Sequence, residues 1–184
     1  MKVINLWGAP SAGKTTTLLG LGYLMKINKH KVEPAHEYAK DLVFEKNALT
    51  LMNQVAVLGE QFRRLERLSH AAGPEWAITD CPIPLMSIYR PDDYFESFDK
   101  LVMELYDKNE NYNFYLQNTG GFETMGRTHD EQQSQEKGDK MLSFLTTNGL
   151  PFEVIDTNPM SPIEIYKRVF PDRAFDEGMF IHFR

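Results

Sequence analysis

The residues of this chain whose types and spacing could most clearly do chemistry lie near its beginning. They are Gly8, Ala9, Pro10, Ser11, Ala12, Gly13, Lys14, Thr15 and Thr16. Glycines at both ends of the loop let the backbone approach a ligand closely, and successive N–H groups can form an anion-binding nest. A helix that begins near Lys14 would add the positive end of its dipole. The segment is therefore predicted to bind the phosphates of a nucleotide, either ATP or GTP.

The side chains that follow this loop have separate expected roles. Lys14 should reach the β- and γ-phosphates, and the Thr15 hydroxyl should ligate Mg²⁺. Thr16 is expected to donate to the α-phosphate. Asp80 follows a short apolar run and has the position of a carboxylate that holds Mg²⁺ through water, because Mg²⁺ keeps part of its hydration shell. The alternative interpretation is that Asp80 caps the turn after that run.

Transfer of a phosphoryl group would also need a carboxylate beside the acceptor hydroxyl and a cation for the moving group. Glu33 and Glu37 are four residues apart near the end of the second predicted strand. We expect Glu37 to contact the acceptor, although it could instead complement the dipole of the helix that it opens. Arg127 lies in a polar, glycine-containing segment, and we expect it to close over the triphosphate from a lid at roughly 118–135.

Two glutamines and a set of arginines leave alternatives open. Gln54 and Gln61 share one face of a predicted helix, where a glutamine either reads the edge of a nucleobase or is a half-buried core residue. The arginines of that helix are either a solvated face paired with acids or part of a groove for single-stranded or flipped DNA. The groove would consist of Arg63, Arg64, Arg67, Tyr89, Arg90 and Tyr94.

Alternating strands and helices must position these residues. Apolar runs predict strands at 2–7, 31–35, 76–79, 113–116 and 152–155. Helical spacing predicts helices over 14–29, 37–49, 50–71, 94–107, 131–148 and from 161 onwards. This order predicts an α/β fold, a three-layer sandwich with a five-stranded parallel sheet and a small lid, within one domain over 1–184. Ligands of such sheets bind at the carboxyl ends of the strands, which Glu37 and Asp80 follow.

Composition and charge exclude several classes of protein. The chain has 184 residues, 42% of them hydrophobic and 25% charged, which is ordinary for a soluble protein. A net charge of −6 argues against a broad basic surface for duplex DNA, although a local groove could still be positive. The single cysteine, Cys81, excludes an internal disulfide and a zinc site built of cysteines. No apolar run approaches the roughly 18 residues of a membrane span and no signal peptide is apparent, so a cytoplasmic protein without a membrane partner is expected.

Four segments together resemble the small P-loop nucleoside and nucleotide kinase-like ATPases, including ribosylnicotinamide kinase domains and related phage-encoded proteins. The segments are GAPSAGKTT at 8–16, EYAKDLVFE at 37–45, TDCPIP at 79–84 and the stretch from GRTHDEQQ to FEVID at 126–156. The resemblance implies an ATP·Mg²⁺ donor site and an acceptor site between the second strand, the helices after it and a lid. It also implies that Glu37 faces the acceptor, Asp80 the metal and Arg127 the lid.

The resemblance has a departure that affects the choice of acceptor. Deoxynucleoside kinases are similar at Glu33-Pro34, but they carry an acidic-Arg-Ser signature after the third strand, where this chain has Asp80-Cys81-Pro82. The substrates of deoxynucleoside kinases are therefore not assigned to this chain on the basis of this resemblance.

Three hypotheses follow. The leading one is ATP-dependent phosphoryl transfer to a hydroxyl or phosphate of a nucleoside, nucleotide or modified base. The second is a kinase that acts on modified bases within DNA, as some phage proteins of this likeness are thought to be; the acidic charge disfavours it. The third is a nucleotide-dependent switch or ATPase module that regulates a partner. The sequence has no second acidic residue directly beside Asp80, which weighs against a dedicated water-activating pair.

Overall fold

The computed structural model describes residues 1–70, 73–118 and 131–173. Its strands are β1 (Lys2–Trp7), β2 (Val32–Ala35), β3 (Trp76–Thr79), β4 (Glu110–Asn118) and β5 (Glu153–Thr157). Its helices are α1 (Lys14–Ile27), α2 (Tyr38–Phe44), α3 (Ala48–Met52), α4 (Gln54–His70), α5 (Leu85–Tyr89), α6 (Glu96–Tyr106), α7 (Glu131–Thr147) and α8 (Ser161–Val169). No helix within these ranges is long and apolar enough to cross a membrane.

The five strands form one parallel sheet in the order β2-β3-β1-β4-β5. The predicted five-stranded parallel sheet is therefore confirmed. Because β1 and β3 are neighbours, with Asn5 paired to Thr79, the loop after β1 begins beside Asp80. The end of β2 lies next to β3 on its other side, which brings the start of α2 to the same edge.

Both faces of the sheet are covered, as the alternation of side chains along β1 indicates. Val3 and Trp7 pack on one face with buried residues of α4, α6 and α7. Ile4 and Leu6 pack on the other face with buried residues of α1 and α8. Burial of each such side chain stabilises the fold by about 1.5–3 kcal/mol. The result is the predicted three-layer arrangement, with helices on either side of the sheet.

The predicted helices over 37–49 and 50–71 are wrong in their boundaries, because the chain turns twice there. Lys46 adopts a φ of 57°, and the Asn47 side chain accepts a hydrogen bond of 3.1 Å from the Thr50 N–H. Asn53 accepts a second one, of 3.2 Å, from the Ala56 N–H. Asparagines that cap a helix in this way begin new helices. Three helices, α2, α3 and α4, replace the predicted two.

The outer strands of the sheet are β2 and β5. β2 has four residues, one of which is Pro34. Beside β5, the Arg168 guanidinium donates hydrogen bonds to the Glu153 carboxylate at 2.8 Å and to the Val154 carbonyl at 3.4 Å. Arg168 therefore covers part of the free side of β5.

Candidate active site

The loop between β1 and α1 has a backbone that requires its glycines. Gly8 and Gly13 have φ angles of 141° and 76°, where residues with a side chain are strained. A Cβ at Gly8 would lie 2.6 Å from the Leu116 carbonyl oxygen, and one at Gly13 would lie 2.8 Å from Cγ2 of Thr157. Ser11 also has a positive φ, of 70°. Two neighbouring strands, β4 and β5, thus hold the loop closely.

Lys14 begins α1 and folds back over this loop. Its ammonium donates hydrogen bonds to the carbonyl oxygens of Gly8 at 2.8 Å and Ala9 at 2.9 Å. The lysine is therefore held beside the main-chain groups that are predicted to bind phosphates. Thr16, on the first turn of α1, is exposed.

Asp80 joins the start of α1 to the start of α2. Its Oδ2 accepts a hydrogen bond of 2.7 Å from the Thr15 hydroxyl, and its Oδ1 accepts one of 3.1 Å from the main-chain N–H of Glu37. The residue is only 2% exposed, and a buried carboxylate requires such partners. The Thr15–Asp80 pair fits the donor set of Mg²⁺, which takes oxygen ligands and completes its shell with water. Within the described residues, no group of three or more His, Cys, Asp or Glu could hold a metal.

Gln61 fixes the turn that carries Glu37. It is fully buried, its Oε1 accepts a hydrogen bond of 2.9 Å from the Tyr38 N–H, and its Nε2 donates one of 3.4 Å to the His36 carbonyl. The alternative of a core glutamine is therefore correct for Gln61. Its contribution to the site is indirect, because it positions the main chain on both sides of Glu37.

A cavity of about 400 Å³ joins the residues of this site. Lys14, Glu37 and Asp80 line it together. Most of its other walls are apolar; they are formed by Val43, Leu51, Met52, Val57, Leu85, Met86 and Met141. Ligand pockets in proteins are commonly of this size, with apolar walls and a few polar groups. Glu33 does not line this cavity and instead forms an exposed ion pair of 2.7 Å with Lys26.

Gln54 lines this cavity and has one buried polar atom that is unsatisfied within the described residues. The residue is 6% exposed, and its Nε2 donates a hydrogen bond of 2.9 Å to the Leu51 carbonyl. Its Oε1 is buried and has no hydrogen-bond partner in the described part of the chain. Because a carbonyl can only accept, Nε2 must face Leu51, and the oxygen is left for another donor. An unsatisfied group of this kind costs about 1–3 kcal/mol.

The pKa of Cys81 is affected by the negative charge of the site. Burial raises the pKa of its thiol well above the usual value, and the carboxylates of Glu37 and Asp80 raise it further. Lys14 and Arg64 act in the opposite direction. The thiol therefore stays protonated and unreactive, and the two carboxylates lie close enough to affect it electrostatically.

Helix α7 packs directly on the phosphate loop, which the sequence did not indicate. The Ser134 hydroxyl donates a hydrogen bond of 2.7 Å to the Pro10 carbonyl. A Cβ at Gly138 would lie 3.2 Å from the Cβ of Ala9 and 3.0 Å from the Tyr115 hydroxyl. One residue earlier, the Lys137 ammonium lies 4.2 Å from the centre of the Tyr89 ring and lines the cavity. Gly138 is the sequence feature that could have indicated this contact, because glycine destabilises a helix and its presence there suggests close packing.

Three of the four arginines considered for a DNA groove, Arg63, Arg64 and Arg90, form ion pairs, whereas Arg67 donates a hydrogen bond of 3.4 Å to the Arg64 carbonyl. Arg63 and Arg64 both bind Glu60, and their hydrogen bonds lower its pKa to about 2. Arg64 also binds Asp41 at 2.6 Å, and Arg90 binds Asp99 at 2.7 Å. The alternative of a paired surface is correct for Arg63 and Arg64. Arg127 and residues 119–130 of the predicted lid lie outside the described residues.

The two glutamines lead to different expectations for the loss of stability on substitution. Gln61→Leu should lower the free energy of unfolding by about 1–3 kcal/mol, because the partly buried Tyr38 N–H loses its partner. Gln54→Leu is the matched control on the same helix, and it should lose less, because it also removes an oxygen that is already unsatisfied. Urea denaturation of both variants measures the difference. Equal losses would contradict the positioning role of Gln61.

Comparison with solved structures identifies the fold. The NadR protein in complex with NAD and AMP-PNP is similar with a TM-score of 0.72 and 15% identity, over 95% of this chain and 51% of that one. NadR in complex with NR is similar with a TM-score of 0.70 and 16% identity, over 92% of this chain and 50% of that one. The chain thus spans about half the length of NadR. Deoxyadenosine kinase from M. mycoides with bound dATP is similar with a TM-score of 0.54 and 15% identity, over 91% of this chain and 98% of that one.

At these identities the similarity shows the fold alone, which this chain shares with NadR and with deoxyadenosine kinase. Among the curated proteins compared with this chain, none matches it. A family model described as "AAA domain" matches residues 3–161, a range that runs from β1 through the phosphate loop and Asp80 to the start of α8. The chain therefore belongs to this AAA domain family.

Proposed function

We propose that this protein transfers the γ-phosphoryl group of ATP to a hydroxyl or phosphate of a nucleoside, nucleotide or modified base. The observation that carries the proposal is that Lys14, Glu37 and Asp80 line one cavity together. Such a transfer needs a lysine that binds phosphate, a carboxylate that holds the metal and a second carboxylate beside the acceptor.

The donor end of the site lies at the phosphate loop. The main-chain N–H groups of the loop, the start of α1 and the Lys14 ammonium bind the β- and γ-phosphates. Thr15 and Asp80 would hold Mg²⁺, which when bound neutralises charge on the β- and γ-oxygens. On binding, the phosphates replace the carbonyl oxygens of Gly8 and Ala9 as partners of Lys14.

The acceptor end of the site lies between Glu37 and the apolar wall. The Glu37 carboxylate orients the acceptor hydroxyl and takes its proton as the new P–O bond forms. The apolar walls suit a planar base or ring. Arg127 is proposed to close over the triphosphate. The molecules named in the structures of similar fold, AMP-PNP, NAD, NR and dATP, support a nucleotide donor and an acceptor of the nucleoside class.

An acceptor screen tests the proposal. ATP labelled at the γ-phosphate is incubated with the protein and Mg²⁺ in the presence of nucleosides, nucleotides or oligonucleotides that carry natural or hydroxymethylated bases. We expect one class to take up label and to raise ATP consumption, and EDTA to stop both. Label in oligonucleotides alone would identify a kinase of bases within DNA. If no class raises consumption above the basal rate, the kinase proposal is wrong and a nucleotide-dependent switch takes its place.

A further inference from the structure

The phosphate loop and helix α7 are fixed to each other, and this fixes Lys137. Ser134 binds the Pro10 carbonyl at 2.7 Å, and Gly138 lets the helix approach Ala9. Lys137 lies between these two contacts on α7 and lines the same cavity as Lys14. Its backbone therefore has a set position relative to the phosphates that the loop would bind.

The surroundings of the Lys137 ammonium leave it available for an anion. It lies 4.2 Å from the centre of the Tyr89 ring, whose face attracts a cation without neutralising it. Partial burial lowers the pKa of Lys137, and the nearby Lys140 lowers it further. No acid among the described residues forms an ion pair with Lys137, so a negatively charged ligand would be its stabilising partner.

The charge balance of the cavity indicates what that anion is. Glu37 and Asp80 bring two carboxylates to the cavity, and both would repel an incoming phosphoryl group. After β3 the chain continues as Cys81-Pro82, so β3 supplies a carboxylate but no cation. Lys14 serves the donor phosphates from within the loop. Lys40, Arg90 and Lys137 also line the cavity. Arg90 is paired with Asp99 at 2.7 Å, whereas Lys137 lies on the helix that is hydrogen-bonded to the phosphate loop.

We infer that Lys137 binds the γ-phosphoryl group of ATP and stays bound to it during transfer, as a catalytic residue of the proposed reaction. The bond from the γ-phosphorus to the bridging oxygen of ADP breaks, and a bond from that phosphorus to the acceptor oxygen forms. The acceptor proton passes to Glu37. This inference rests on the proposed function, so its test includes a measurement that needs no acceptor.

The kinetic test compares three variants with the acceptor found by the screen. Lys137→Met should lower kcat about 10²–10³-fold, the effect of removing one group that stabilises transition-state charge, with little change in the Kd of ATP. Lys137→Arg keeps the charge and should recover part of the loss. Lys140→Met removes an exposed cation from the same helix and should leave kcat unchanged. If Lys137→Met behaves like Lys140→Met, the inference is wrong.

The second test measures contact directly. Lysines are reductively methylated with ¹³C, and the Lys137 resonance is assigned from the Lys137→Arg spectrum. We expect this resonance to shift with AMP-PNP·Mg²⁺, which has a γ-phosphoryl group, and to stay unchanged with ADP·Mg²⁺. This result would support the contact even if the screen finds no acceptor, in which case only the kinase proposal fails. Identical Lys137 spectra with both nucleotides would overturn the inference.

Discussion

Lys14→Met should abolish ATP-dependent turnover, with a fall of about 10²–10³-fold or more in rate and a clear weakening of nucleotide binding. In the structure the ammonium donates hydrogen bonds to the carbonyls of Gly8 and Ala9 in the phosphate loop. Its loss removes the positive charge that the β- and γ-phosphates require. Calorimetry with ATP·Mg²⁺ measures the binding, and release of labelled phosphate measures the turnover.

A matched control separates this effect from a loss of fold. Lys26→Met removes a cation from the same helix, where it forms an exposed ion pair with Glu33. Such pairs contribute little to stability, so this variant should keep both binding and turnover. Undiminished turnover in Lys14→Met would refute the phosphate-site assignment.

Glu37→Gln should lower transfer to the acceptor by about 10²–10⁴-fold, the usual loss when a general base is removed. The Kd of ATP should change little, because Asp80 is bound by the main-chain N–H of Glu37 and not by its side chain. The amide has the same shape as the carboxylate, so the geometry of the turn is kept. Steady-state kinetics with labelled ATP and the acceptor measure the rate.

Glu33→Gln is the control for this experiment. Glu33 lies four residues earlier and pairs with Lys26 away from the cavity, so its loss should leave transfer unchanged. Equal rates in the two variants would remove Glu37 from the acceptor site. A large loss in Glu37→Gln together with weaker ATP binding would place it at the donor end instead.

The parts of the site that could be predicted from sequence are those in which a local pattern is sufficient. The glycines of the loop between β1 and α1 specify its backbone by themselves, and Asp80 follows a strand whose place beside β1 is common to parallel sheets. The structure adds the contact between Thr15 and Asp80, which meet because β3 lies beside β1 in the sheet. The sequence predicts that Glu37 lies near Asp80, because Glu37 follows a strand that ends at the same edge of the sheet.

The remaining features depend on contacts between distant segments. Gln54 and Gln61 lie seven residues apart on the same face of their helix, so the sequence alone does not distinguish them. In the structure Gln61 accepts a hydrogen bond from the Tyr38 N–H, whereas Gln54 donates one to the Leu51 carbonyl. From the sequence, Lys137 belongs to a charged helix face, which is ordinarily exposed to solvent. Its place in the cavity depends on how closely Gly138 approaches Ala9, which no pattern in the sequence measures.

The two outer strands also affect how copies of this chain could associate. An exposed strand is a template on which another chain can pair, and proteins block such templates with short strands, proline or charged side chains. The first outer strand is only four residues long and includes Pro34, which has no N–H to offer. On the opposite side, the Arg168 side chain occupies the Val154 carbonyl. Pairing of strands from one copy to the next is therefore disfavoured at both sides of the sheet.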